Sequence, residues 1–142
     1  MAAVLLVRDG KLRYEDSLTD LFPAFPAYGK GITVRHLLTH TSGIGYGFAS
    51  PMLTKIMQKT GKTEMDLPLL FDPGERWEYG INIDIAGRMV EVASGEDLET
   101  YMRRHLFDPL GMPDTGFVLR PEWQGRLATV HARSQDGSLE PF

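Results

Sequence analysis

Glycine and proline interrupt this chain so often that it can form only short helices separated by irregular connections. The 142 residues include 15 glycines and 9 prolines, and both residue types end or break regular secondary structure. The longest helical periodicity covers residues 83–94 and ends at Gly95. Its apolar positions recur on one helical face, which consists of Ile83, Ile85, Ala86, Met89, Val90 and Ala93.

The other predicted helices lie between similar start and stop signals. Asn82 or Asp84 is the predicted N-cap of the helix over 83–94. Four more helices are predicted. The first covers residues 2–9 and ends before Gly10 in a left-handed conformation, and the second runs from Thr33 to about Ser42–Gly43. The third runs from Pro51 to about Thr60, and the fourth begins at Asp97 and ends at Asp108-Pro109-Leu110-Gly111.

The remaining segments read as connections. Two loops are predicted: residues 11–28, which contain prolines at 23 and 26, and the glycine-rich stretch 43–50. Asp72-Pro73-Gly74 is a predicted type II turn, and an extended segment follows at 77–79. Short strands are expected around 117–119 and 127–130. The predicted fold class is therefore mostly α with irregular connections and at most a short strand pair near the C-terminus.

Composition and charge exclude several classes of protein. The net charge of -4 and pI of about 5.5 come without a basic stripe, so no nucleic-acid partner is predicted. Cysteine is absent, which removes disulfides, thiolate zinc sites and a cysteine nucleophile. The apolar start at Met1–Val7 is too short for a membrane span and lacks the features of a signal peptide. No compartment is indicated.

Two histidines and a serine invite catalytic or metal-binding interpretations. His36 and His40 are four residues apart on one helix, a spacing that permits zinc binding, but no glutamate follows the first histidine and no third ligand is evident. Structural hydrogen bonds are the favoured role. Ser42 lies beside His40, yet it falls at a predicted helix C-terminus, where the dipole opposes an alkoxide, so C-capping is favoured over nucleophilic attack.

Carboxylates and glycines elsewhere suggest no further chemistry. Glu75, Glu78 and Asp84 could pair as in a glycosidase, but a solvated loop is the favoured interpretation. Gly43, Gly45 and Gly47 precede no convincing helix N-terminus and have no suitably placed lysine. We therefore predict no metal and no cofactor.

Three stretches together resemble the serine β-lactamases, penicillin-binding proteins and related esterases, especially the class C-like esterase branch. Residues 32–43, Ile-Thr-Val-Arg-His-Leu-Leu-Thr-His-Thr-Ser-Gly, are similar to that family's I-T-[IV]-R-H-L-L-T-H-T-S-G. Residues 71–79 match F-x-P-G-x-x-[WF]-x-Y, and residues 106–117 are close to F-x-P-L-G-M-x-x-T-x-F. Residues 9–12 also fit the family's E-G-K-L stretch.

The resemblance implies a helical lobe of an α+β fold and a site built from three motifs: S-x-x-K, a tyrosine motif that is often Y-x-N, and K-T-G or H-x-G. Tyr79 takes the tyrosine position and is the predicted catalytic residue; no substrate-binding residue is assigned. The other two motifs are expected before Met1 and beyond Phe142. Residues 1–142 are therefore expected to be a partial domain, inactive as this chain, which exposes an apolar face and self-associates.

In the intact parent, the resemblance implies attack of a serine on a small ester or amide and an acyl-serine intermediate, with Tyr79 and a lysine moving the proton. A free phenol has a pKa of about 10, and a nearby Lys⁺ favours phenolate. Ile81 replaces the asparagine of Y-x-N and cannot donate a hydrogen bond, so an esterase is favoured over an efficient β-lactamase. The alternative is a non-catalytic helical remnant or a binding module that reuses the scaffold.

Overall fold

A computed structural model describes residues 1–23, 25, 29 and 31–142. Its α-helices are α1 (Ala2–Arg8), α2 (Leu18–Leu21), α3 (Val34–Leu38), α4 (Pro51–Thr60), α5 (Asn82–Ser94) and α6 (Leu98–Met102), and α6 continues as a π-helical turn over Arg103–Phe107. Short 3-10 turns occupy Gly47–Ala49, Glu64–Asp66 and Pro121–Arg126. The strands β1 (His131–Arg133) and β2 (Leu139–Pro141) form an antiparallel pair in which Ala132 is opposite Glu140.

The core is built around α5, which contacts α1, α3 and α6. Met89 on α5 is fully buried and belongs to one cluster of buried apolar side chains with Leu6, Leu12, Leu18, Ile32, Val34, Leu37, Ile85 and Val90. Each such side chain stabilises the fold by about 1.5–3 kcal/mol relative to exposure. The helices predicted to be amphipathic therefore share a single core.

Several helix limits agree with the sequence predictions. Gly10 has a φ of 70° directly after α1 and its turn, and its N–H donates to the Val7 carbonyl at 3.1 Å. Ser50 caps α4, with Pro51 in its first turn, and Asp97 caps α6 by accepting from the Thr100 N–H at 3.0 Å. These limits depend on interactions between residues close in sequence, which is why periodicity and caps predict them.

Helix α3 is shorter than predicted. It ends at Leu38 rather than near Ser42–Gly43, because His40 has a φ of 55°, a left-handed backbone that a helix cannot contain. The chain therefore leaves the helix before Thr41 and Ser42. On α5, Ile83 was placed on the apolar face but is 54% exposed.

The strand pair is present, but its position was predicted wrongly. The strands lie at 131–133 and 139–141, not around 117–119 and 127–130. The Phe117 N–H donates to the Glu99 carboxylate at 2.7 Å, so it is tied to α6 and not to a strand. Asp136–Gly137, a strong hairpin signal, lies in the true turn, where Gly137 has a φ of 88°.

Two further findings concern the predicted connection over 11–28 and the predicted absence of a membrane span. Of the predicted connection over 11–28, residues 24 and 26–28 lie outside the described residues. Within the part of the chain that the structure describes, no helix is long and apolar enough to cross a membrane.

Candidate active site

The segment that carries Tyr79 is held against the turn after α3. A turn over residues 72–75 precedes this segment, and in it the Glu75 N–H donates to the Asp72 carbonyl at 3.1 Å. Gly74 has a φ of 92°, as the predicted type II turn requires. The Gly74 N–H then donates to the Thr41 carbonyl at 2.7 Å. The Glu78 N–H donates to the His40 carbonyl at 2.9 Å, which fixes the backbone beside Tyr79.

Gly80 allows this segment to approach the 43–45 loop closely. A Cβ atom at Gly80 would lie 2.0 Å from the Ile44 carbonyl oxygen and 2.9 Å from the Gly45 Cα. No side chain larger than hydrogen fits without movement of the backbone. The glycine therefore brings the residues on either side of this contact into one site.

Four aromatic side chains, Tyr46, Phe48, Trp77 and Tyr79, form what we call the aromatic cluster. The Tyr46 ring stacks on Phe48 at 4.9 Å and lies 5.5 Å from the Tyr79 ring, and Trp77 stacks with Tyr79 at 6.4 Å. Tyr79 is 55% exposed. Within the described residues its hydroxyl forms no hydrogen bond, so its contacts are those of its ring.

A buried hydrogen-bond network lies beneath the aromatic cluster. The His40 ring is 4.9 Å from the Tyr79 ring, and its Nδ1 lies 3.0 Å from the Asn82 side-chain nitrogen. The Asn82 oxygen accepts from the Ser42 hydroxyl, and both side chains are fully buried. Because buried polar groups are costly unless they are hydrogen-bonded, this network ties α5 to the 40–44 turn.

The network corrects two predictions. Ser42 does not cap α3; it bonds to Asn82 and accepts the Ile44 N–H at 3.0 Å. Asn82 is not the N-cap of α5 either, since Ile81 occupies that position without a side-chain cap and Asp84 does not take the role. Ile81 packs against the core, and the buried Asn82 amide serves the protein's own groups.

Burial governs the electrostatics of this site. It lowers the pKa of His40, because an apolar environment disfavours the imidazolium. Burial also raises the pKa of Tyr46, with a further contribution from the Asp84 carboxylate. The two shifts favour an uncharged His40 imidazole and an uncharged Tyr46 phenol beside the Tyr79 ring.

The other candidate residues have structural or solvated positions. His36 Nδ1 accepts the Thr33 N–H at 3.3 Å in a capping box at the start of α3, so both His36 and His40 make the structural hydrogen bonds that were favoured for them. Glu75 and Asp84 are exposed and Glu78 is half-buried. Among the described residues, no group of three His, Cys, Asp or Glu side chains could hold a metal ion.

Comparison with known proteins identifies the family. A family profile described as Beta-lactamase matches residues 1–141. The chain belongs to the beta-lactamase family. The resemblance seen in the three sequence stretches is thus confirmed.

Individual relatives are acyltransferases and esterases. The chain is 43% identical to monacolin J acid methylbutanoyltransferase from Aspergillus terreus over 76% of its own length and 29% of the relative, and 34% identical to esterase EstB from Burkholderia gladioli over 99% and 40%. A mutant simvastatin synthase from Aspergillus terreus superposes with a TM-score of 0.89 at 35% identity, covering 99% of this chain and 39% of that one.

The superposition identifies these residues as the helical lobe of the beta-lactamase fold. The chain spans less than half the length of these relatives. Tyr46 and Phe48 lie in the predicted loop over 43–50 and were not predicted as site residues; the glycines at 43, 45 and 47 were the only sequence signal near them.

Proposed function

We propose that this chain is the tyrosine-bearing part of a serine hydrolase with esterase-like acyl transfer, and that Tyr79 is its catalytic residue. The supporting observation is the exposed position of Tyr79 beside the hydrogen-bonded network of His40, Ser42 and Asn82 in a beta-lactamase family lobe. The proposal assigns the nucleophilic serine and its lysine to polypeptide outside residues 1–142, and on this proposal residues 1–142 are a partial domain that does not acylate by itself.

In the proposed reaction, the serine oxygen attacks the carbonyl carbon of a small ester or amide while its proton passes to the Tyr79 and lysine pair. The alcohol or amine leaves with a proton, and an acyl-serine forms. Water or an acceptor alcohol then attacks the acyl carbon and releases the serine. Proton transfer by a positioned side chain contributes about 10²–10⁴-fold to such a step.

The structure contributes the placement of the phenol. The backbone bond from Glu78 to His40 and the ring contacts of Tyr79 with Tyr46 and Trp77 hold the side chain at the surface of the lobe. The aromatic cluster offers an apolar wall that suits the acyl part of a substrate. Ile81 offers no amide donor, which supports an ester substrate over a penicillin.

Two measurements test this proposal. The 142-residue chain is incubated with p-nitrophenyl acetate and with a fluorescent penicillin, and we expect neither turnover nor a covalent label; acylation of any serine within the chain would overturn the assignment. The reading frame upstream of Met1 is then sequenced, and an in-frame serine and lysine at S-x-x-K spacing is expected. A stop codon there supports the alternative of a non-catalytic remnant or binding module.

If the upstream frame supplies S-x-x-K, the longer polypeptide tests the tyrosine directly. Tyr79→Phe is expected to lower kcat by about 10²–10⁴-fold, while Tyr46→Phe, a matched change in the same cluster, retains most of the activity. Equal losses in both variants would contradict the assignment of Tyr79.

The proposal extends to self-association of the isolated chain. Large apolar side chains are exposed on the C-terminal segment, among them Val118, Leu119, Leu127 and Val130. Exposed apolar surface favours contact between molecules.

A further inference from the structure

In the hydrogen-bond network beneath Tyr79, the backbone atoms of Ile44 determine which side-chain atoms donate and which accept. The Ile44 N–H donates to the Ser42 oxygen at 3.0 Å, and the Ser42 hydroxyl donates to the Asn82 side-chain oxygen. The Asn82 side-chain nitrogen lies 3.4 Å from the Ile44 carbonyl oxygen and 3.0 Å from His40 Nδ1. A backbone N–H can only donate and a carbonyl can only accept, so Ile44 fixes both ends of this circuit.

The alternative orientation of the Asn82 amide is unfavourable. If the amide were reversed, its oxygen would face the Ile44 carbonyl, and two acceptors would meet without a proton between them. Both Asn82 and Ser42 are fully buried, so water cannot compensate, and an unsatisfied buried acceptor is costly. The nitrogen of Asn82 therefore points at His40 Nδ1, and that atom must accept.

We propose that this network holds His40 as the neutral tautomer with its proton on Nε2 and makes His40 a positioning residue for Tyr79. A second proton on Nδ1 would face the N–H of Asn82 and break the bond. The lowered pKa of His40 through burial agrees with this geometry. Within the described residues, no carboxylate forms a hydrogen bond or an ion pair with His40, and its ring neighbours are Trp77 at 6.2 Å and Tyr79 at 4.9 Å.

The positioning part of the inference rests on the proposed function of Tyr79. His40 contacts the Tyr79 ring with its own ring and accepts the neighbouring Glu78 N–H through its carbonyl. A neutral imidazole packs against the Tyr79 ring and places no positive charge beside the phenol. The cation that the acyl-transfer step needs must then come from another group, which leaves that role to the lysine.

The tautomer is measurable in the chain as it exists. Long-range proton–nitrogen correlation spectra of the ¹⁵N-labelled protein are recorded as a function of pH, and the His40 signals are assigned by their loss in His40→Asn. We expect His40 to show an unprotonated Nδ1 and a protonated Nε2 near neutral pH. A protonated Nδ1 at neutral pH would refute the inference, and this result does not depend on any acylation activity.

Asn82→Asp reverses the hydrogen bond that reaches His40. A carboxylate oxygen accepts where the amide nitrogen donated, so Nδ1 of His40 should become protonated and its titration midpoint should rise by about one pH unit or more. Gln124→Glu makes the same amide-to-acid change at an exposed position and should leave His40 unchanged. A folded Asn82→Asp protein with wild-type His40 signals would refute the inference; if this variant does not fold, the wild-type tautomer decides.

His40→Asn tests the positioning role. Asparagine tolerates a positive φ, so the backbone turn is retained while the imidazole ring is lost. We expect the Tyr79 ring signals to move towards those of a free tyrosine, while the signals of Tyr101, which contacts His105, stay in place. Unchanged Tyr79 signals would contradict a positioning role even if the tautomer is as proposed.

Discussion

Replacing Gly80 by alanine places a methyl group inside the contact between the Tyr79 segment and the 43–45 loop. The new Cβ would lie 2.0 Å from the Ile44 carbonyl oxygen and 2.8 Å from its carbon. Since real Cβ contacts essentially never fall below 3.0 Å, the two backbone segments must separate by about 1 Å. That shift also displaces the carbonyl to which the Asn82 amide donates.

The size of the effect follows from these two consequences. Overpacking of a tight contact costs about 1–3 kcal/mol, and loss of a buried hydrogen bond costs about 1–3 kcal/mol. Because the displaced backbone relaxes in part, we expect the free energy of unfolding to fall by about 3 kcal/mol. For a chain of this size the thermal midpoint should fall by roughly 10 °C.

Urea and thermal unfolding followed by circular dichroism measure this change. Gly125→Ala is the matched control, because a Cβ at Gly125 meets nothing within 4 Å; its unfolding free energy should stay within about 0.5 kcal/mol of wild type. If Gly80→Ala were as stable as Gly125→Ala, the close contact between Gly80 and Ile44 would not exist in solution, and the placement of Tyr79 derived from it would be wrong.

Two further predictions concern α6 and the C-terminal segment. The hydrogen bond from the Phe117 N–H lowers the pKa of Glu99, and the hydrogen bond from Arg103 lowers it further. The ionised Glu99 carboxylate therefore stabilises the folded state above the pKa of the unfolded carboxyl, and this contribution is lost as pH falls through the folded pKa. Glu99→Gln should therefore be less stable than wild type at neutral pH and equal to it in acid, and a difference that persists in acid unfolding titrations would contradict this. Light scattering with size-exclusion chromatography should show concentration-dependent association that Leu127→Lys weakens and Gln124→Lys does not; a monodisperse wild-type monomer that does not bind ANS would contradict it.

The parts of the fold that the sequence predicts correctly are those with local causes. The helices at residues 2–8, 51–60 and 82–94 each end at a glycine or begin at a cap within a few residues. The turn at Gly74 likewise needs only its own four residues. Helix α3 was predicted too long because His40 has a left-handed backbone, which no glycine or proline at that position signals, and because the His40 ring bonds to Asn82, which is 42 residues away.

The site was predictable only in part, for the same reason. The family resemblance predicts Tyr79 as the catalytic residue, which stays a prediction, and the spacing of the motif puts Ile81, which offers no amide donor, at its third position. The pairing of Ser42 with Asn82 joins residues 40 positions apart, and neither residue carries a local signal for it. A serine after a helix and an asparagine before one look like caps, and only the tertiary contact shows that they bond to each other.

The close approach at Gly80 makes two loops a single unit for protein engineering. Tyr46 and Phe48 lie on one loop and Trp77 and Tyr79 on the other, and the two meet where the Ile44 carbonyl touches Gly80. A graft of the 43–49 loop from a relative with a differently placed carbonyl would need the matching 77–80 segment as well. Libraries that vary the aromatic cluster should therefore exchange these two segments together.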